Sequence, residues 1–106
     1  MKTDLEIDIM RDSAQQVVAI LKSLANTDRL LILCHLSQSE MNVSQIEEMT
    51  EIRQPTLSQQ LMMLRRNDMV STRRDGKQIY YSIKDPHLVE MLNTLYRLYC
   101  PQELLG

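Results

Sequence analysis

Apolar residues recur at helical spacing in several stretches of this chain and alternate in one. From Ser13, the residues Val17, Val18, Ile20, Leu21 and Leu24 line one side of a helix ending near Asn26. Asp12 or Ser13 can accept from the free amides of its first turn. Thr27 is expected to cap a second helix, whose nearly unbroken run Leu30, Leu31, Ile32, Leu33, Cys34 and Leu36 suits a buried central position. Asp28 in its first turn complements the helix dipole. A polar loop over 37–42 leads to Ser44-Gln45-Ile46-Glu47, which has the form of a capping box, and to a short third helix ending near Thr50. Pro55 loses nothing at a first helical position, so Gln54 becomes the expected cap of a fourth helix with Leu57, Leu61 and Leu64 as its buried stripe. That stripe leaves Gln59 and Arg66 nearly opposite, with Thr56 and Ser58 on the flanks.

The alternating stretch is a hairpin. Asp75-Gly76 separates Val70-Ser71-Thr72-Arg73-Arg74 from Gln78-Ile79-Tyr80-Tyr81-Ser82-Ile83, and both turn residues tolerate positive φ. Ile79, Tyr81 and Ile83 fall on one face. From Pro86 a last helix carries Leu88, Val89, Met91, Leu92, Leu95, Tyr96, Leu98 and Tyr99, too many for one stripe. The order predicts a mainly α fold with a small β-hairpin wing, a winged helix-turn-helix of five helices that dimerises through its first and last helices. Residues 1–12 read as an N-terminal extension, 13–100 as the domain and 101–106 as a tail.

Composition narrows the function. A chain of 106 residues with 43% hydrophobic residues, eight Met and no Phe or Trp builds a modest core from Leu, Ile, Val and Met. The net charge of −2 hides an asymmetry, because residues 53–77 sum to +4 and the remainder to −6. Phosphate contacts need such local charge, not a basic protein. No leader-like or membrane-spanning run is visible, which implies a cytoplasmic protein, where the two cysteines are expected to be free, metal-bound or redox-active. No Gly-rich phosphate loop, nucleophile triad or metal-water site is visible, so the reading is a regulator and not an enzyme.

The helix order together with Arg53-Gln54-Pro55-Thr56-Leu57-Ser58-Gln59-Gln60-Leu61, Leu64-Arg65 and the Asp75-Gly76 wing resembles the ArsR family of winged-helix repressors. The resemblance implies that Gln54, Thr56, Ser58 and Gln59 read the major groove of double-stranded DNA, with Arg65 beside them and Arg73, Arg74 and Lys77 reaching the backbone or minor groove from the wing. The chemistry of the residues agrees, since short polar side chains and free amides at a helix start approach phosphates and base edges. A homodimer with two such helices expects a palindromic operator.

Many members of that family respond to metals. Here Asn42 and Ser44 stand where one group has ligand cysteines, and Asp85-Pro86-His87 supplies half of another group's zinc site, whose later positions fall near Leu98 and Pro101. No metal site and no cofactor is therefore expected. Cys34 in the second helix and Cys100 at the end of the last resemble the paired cysteines of the family's thiol-based, sulfide- and persulfide-responsive subgroup. By that resemblance, oxidation or sulfur bridging of the pair by a reactive sulfur species or oxidant releases DNA. The chemistry needs only a thiolate and an electrophilic sulfur. The alternatives are a metal-responsive repressor using Cys34, Cys100 and His87, and a countersilencing or protein-binding winged-helix regulator.

Overall fold

Helix formation begins at Asp4, not at Ser13. The computed structural model describes residues 3–101, and its first helix, α1, spans Asp4–Leu24. Thr3 and Glu6 form a capping box: the Thr3 hydroxyl accepts from the Glu6 amide at 3.1 Å and the Glu6 carboxylate from the Thr3 amide at 3.3 Å. Asp4 and Glu6 in the first turn also suit the dipole. The charge alternation that reads as an extension is thus the outer surface of added helical turns. The expected tail lies outside the described residues beyond 101.

Helix α2 (Thr27–Leu36) is capped by Asn26, one residue before the expected Thr27, whose side-chain Oδ1 accepts from the Arg29 amide at 3.1 Å. Leu31 stays 40% exposed, so the helix is buried on one side and not all round. The loop after it holds a short strand, β1 (Met41–Asn42), that no local pattern announced. Helix α3 (Val43–Thr50) follows, and its capping box is Asn42 with Gln45, both bonds 2.9 Å, in place of Ser44 with Glu47. Asn42→Ala is expected to cost about 1 kcal/mol of stability in urea titrations, and Ser44→Ala a few tenths. A larger loss from Ser44→Ala would contradict this register.

Helix α4 (Thr56–Arg66) is followed by strands β2 (Val70–Asp75) and β3 (Gln78–Ile83) and by α5 (Pro86–Tyr99), whose cap is Asp85. Asp68, with φ 62°, ends α4 in the left-handed region, and the Met69 amide returns to the Leu64 carbonyl at 2.9 Å. The wing pairs Asp75 with Gln78, so its two-residue loop is Gly76-Lys77, shifted by one from the expected Asp75-Gly76. Gly76 takes the positive φ, 64°, that the first position of such a turn demands. The sheet is antiparallel with order β1-β3-β2, because Met41 and Asn42 pair with Tyr81 and Tyr80.

The core joins α2, α3, α4, α5 and the base of the ribbon. Ile32, Leu33, Ile46, Leu57, Leu64 and Leu92 are fully buried, and Leu61, Val70 and Leu88 complete the contacts that fix α4 and the wing to the body. Only Ser23 and Leu24 of α1 are buried. The radius of gyration, 16.1 Å, exceeds the roughly 13 Å of a compact domain this size because the 21-residue α1 stands off the body.

Candidate nucleic-acid interface and thiol pair

The buried stripe Leu57, Leu61 and Leu64 turns the opposite face of α4 to solvent, leaving Ser58, Gln59, Arg65 and Arg66 exposed and Thr56 half-buried. Met62 and Met63 share that face, and sequence reading passed over them. Gln54 caps the helix from one residue farther out than expected: Pro55 occupies the cap position without a side-chain bond. The Gln54 side-chain oxygen Oε1 accepts from the Ser58 amide at 3.0 Å and from the Ser58 hydroxyl at 2.6 Å. With Oε1 engaged, Nε2 is the donor this exposed side chain has to offer. Donors held this way at a helix start suit phosphate oxygens and base acceptors.

The wing carries its cations on two faces. Arg74 pairs with Ile79 and lies on the ribbon face of Thr72, Tyr81, Val70 and Ile83, whereas Arg73 pairs with Tyr80 on the other. Tyr81 reaches the groove lined by Ser58, Met62 and Arg65, so the Arg74 face is the one that adjoins α4. Lys77 sits in the turn and is exposed. Arg73 has a partner within the chain. Its Nη2 meets the Glu40 Oε1 at 2.6 Å and its Nε lies 2.8 Å from both carboxylate oxygens, while the guanidinium stacks 4.6 Å from the Tyr80 ring centroid. The hydrogen bonds from Arg73 hold the Glu40 carboxyl below the usual carboxylate range.

Arg29, which no motif flagged, locks α4 to the end of α1. Its Nε donates to the Ser23 carbonyl at 2.7 Å, its Nη2 to the Lys22 carbonyl at 3.4 Å and its Nη1 to Gln60 Oε1 at 3.3 Å. One guanidinium thereby satisfies carbonyls at the end of one helix and orients another. Such long-range pairing leaves no periodic trace in sequence.

Cys34 on α2 and Cys100 at the end of α5 are each partly buried and free, on helices that pack against each other. Half-burial pushes the Cys34 thiol up, and the charge Cys100 carries when ionised pushes it further. The Ser37 hydroxyl donates to the Cys34 carbonyl at 2.6 Å, and Gln38 donates to Asn93 at 3.0 Å, so the residues after α2 are tied to the middle of α5. His87 does not join them. It is exposed at the opposite end of α5, about 20 Å from Cys100 by helical rise. Its Nδ1 lies 3.4 Å from Asp85 Oδ1, and among the described residues no group of three or more His, Cys, Asp or Glu side chains is arranged to hold a metal ion.

Beyond the interface, α1 presents Ile7, Met10, Ala14, Val17 and Leu21 at alternating spacings of three and four, a continuous apolar seam running down to Leu24. On α5, Leu98 and Tyr99 are exposed. No helix among the described residues is long and apolar enough to cross a membrane.

Comparison with known proteins supplies a context for these features. Residues 26–72, which span α2 to the start of β2, match the family described as bacterial regulatory protein, arsR family. The biofilm growth-associated repressor of Agrobacterium fabrum is 39% identical over 100 residues, covering 94% of this chain and 86% of that protein. The transcriptional activator HlyU of Vibrio cholerae is 34% identical over 96 residues, covering 91% and 89%. Its reduced form superposes with a TM-score of 0.81 at 36% identity, covering 87% of this chain and 97% of that one. The crystal structure of the transcriptional repressor BigR from Xylella fastidiosa also superposes with a TM-score of 0.81, at 38% identity over 89% of this chain and 96% of that one.

Proposed function

The chain belongs to the ArsR family of bacterial regulatory proteins, DNA-binding transcriptional regulators and not enzymes, and from that premise we propose that it is a homodimeric repressor released from a palindromic operator by oxidation or sulfur bridging of Cys34 and Cys100. Gln54, Thr56, Ser58 and Gln59 enter the major groove, while Arg65, Arg74 and Lys77 neutralise flanking phosphates. The apolar seam of α1 and the outer end of α5 form the subunit contact. A cytoplasmic location suits this role.

The observation that supports the sensing half is two free, partly buried thiols on the neighbouring helices α2 and α5, close enough for charge on one to act on the other. Cys34 lies between the buried Leu33 and Leu36 of the helix against which α4 packs, so a bond drawn to α5 strains the support of the reading helix. That the similar HlyU of Vibrio cholerae has been solved in a reduced form is in keeping with a redox reading. Chemically, one thiolate attacks the sulfane sulfur of a persulfide and displaces the carrier thiolate. The second thiolate attacks the inner sulfur of the resulting cysteine persulfide and expels hydrosulfide, closing a disulfide while the sulfane sulfur takes two electrons. A polysulfide donor leaves additional sulfur atoms in the bridge.

The test is to treat the DNA-bound protein with glutathione persulfide, follow release by fluorescence anisotropy, and map the peptides by mass spectrometry. Release is expected to coincide with linkage of the Cys34 and Cys100 peptides and to reverse with a dithiol reductant. Release without that linkage, or linkage without release, rejects the mechanism.

A further inference from the structure

We propose that Arg73 is a positioning residue of the wing and not one of its phosphate ligands: held by Glu40 and stacked on Tyr80, it sets the angle of the hairpin, while Arg74 and Lys77 present the wing's charge to DNA. The inference rests on the DNA-binding reading above and divides the basic residues of the hairpin into two roles.

Strand alternation makes the first division. Neighbouring residues of β2 face opposite ways, so Arg73 and Arg74 cannot both turn to the side of the ribbon that adjoins α4. Register assigns Arg74 to that side with Thr72 and Tyr81, and Arg73 to the side of Tyr80 and Ser71. The groove that Tyr81 shares with Ser58, Met62 and Arg65 shows which side meets the reading helix.

Occupancy of the guanidinium makes the second. Both edges of the Glu40 carboxylate are engaged by Arg73, and the flat face of the guanidinium lies over Tyr80. The bridge takes the Nε–Nη2 edge of the fork and Nη1 lies 3.9 Å from Asp75 Oδ2, so a phosphate would compete with two carboxylates for this half-exposed side chain. Arg74 makes one bond, from Nε to the Gly76 carbonyl at 3.2 Å, which leaves its terminal nitrogens for solvent or DNA.

The location of Glu40 completes the picture. It immediately precedes β1, the two-residue strand that pairs with β3, so the ion pair extends the grip of a very short strand onto the far strand of the ribbon. Two backbone-paired residues alone give a hairpin little leverage against bending. A bidentate side-chain bridge from the preceding residue to β2 makes the three strands move as one piece. The hairpin tip then meets DNA at a fixed height relative to α4, with no ordering required on contact.

The experiment measures affinity for a fluorescein-labelled duplex of mixed sequence against salt concentration, for which no knowledge of the operator is needed because nonspecific binding carries the slope. Arg74→Gln is expected to flatten the plot of log affinity against log salt by about 0.9 per wing. Arg73→Gln is expected to leave the slope unchanged and lower affinity by up to about fivefold per wing at every salt concentration. Glu40→Gln should match it, and the double variant should lose no more than either single one. A flattened slope for Arg73→Gln overturns the proposal, as does tighter binding by Glu40→Gln, which would mean that Glu40 competes with phosphate. Unchanged affinity in both single variants overturns it too. Failure of the underlying reading is seen separately, as absence of duplex binding by the unsubstituted protein.

Discussion

Replacing Val17 and Leu21 together by Glu is expected to leave a folded monomer with about a thousandfold less operator affinity. Both side chains are 50% exposed in the single chain and lie outside its core, so the fold has no need of them. They sit in the middle of the seam that begins at Ile7 and runs to Leu24, where spacings of three and four keep apolar groups on one line of the helix. A 21-residue helix with two buried residues leaves a long apolar seam uncovered by its own domain, and in the proposed dimer a partner's seam covers it. Four carboxylates introduced into a paired seam meet each other without water, at a cost of several kcal/mol. The loss in DNA binding follows because the second half-site is gained intramolecularly only while the two reading helices are joined. Sedimentation equilibrium and anisotropy on a palindromic site check both halves, with a cooperative thermal melt as the control for folding. A dimer that survives both substitutions with full affinity defeats this account of α1.

Cys34→Ser and Cys100→Ser, each alone, are expected to abolish persulfide-induced release, holding affinity within about twofold where the unsubstituted protein loses up to a thousandfold. The size of that loss comes from the cross-link. Closing a loop from α2 to α5 of this length biases a conformational equilibrium by about 4 kcal/mol when only one conformer accepts the bridge. That is most of the roughly 5.5 kcal/mol needed to carry a population from one state almost wholly to the other. The raised pKa of Cys34 adds a signature in pH. Less of its thiolate exists at neutral pH than an ordinary cysteine supplies, so the step in which Cys34 attacks accelerates as pH rises through and beyond the usual thiol range. The same shift has a sign for stability: a thiol whose folded pKa lies above its unfolded value contributes stability below the unfolded pKa and loses it as pH rises through the folded one. Alkaline destabilisation is therefore expected to be smaller in Cys34→Ser, as read from melting temperatures across that range. If Cys100→Ser alone still releases DNA on treatment, a single modified thiol suffices and the bridge is unnecessary.

Local chemistry explains which parts of this molecule could be read from the chain. The Leu57, Leu61 and Leu64 stripe follows a period that only one structure accommodates, and the structure buries all three. The hairpin was equally legible, because Gly76 tolerates the positive φ a tight turn needs and the flanking residues favour strands. Cap residues were misplaced by one or two positions at α2 and α3, where Asn26 and Asn42 compete with Thr27 and Ser44. Neighbouring polar residues all have the capacity to cap, and the turn geometry selects among them. The start of α1 differs for another reason: Ile7, Met10 and Ala14 continue the helical spacing, but charged residues alternating with Leu5, Ile7 and Ile9 mask it.

Contacts between distant segments left no such trace. Nothing near Glu40 predicts Arg73, nothing near Arg29 predicts the Lys22 and Ser23 carbonyls and Gln60, and β1 is a strand only because β3 offers its edge. The thiols met the same limit, since the family resemblance marked Cys34 and Cys100 as a pair, whereas their separation depends on how α2 packs beside α5. Helices, turn and the polar face of α4 arise from interactions within a few residues, which order and spacing encode directly. The Glu40 bridge to the wing, the anchoring of α4 and the packing of the two cysteine-bearing helices arise from groups brought together after the chain has closed on its core, and their energies depend on distances that spacing along the chain does not specify.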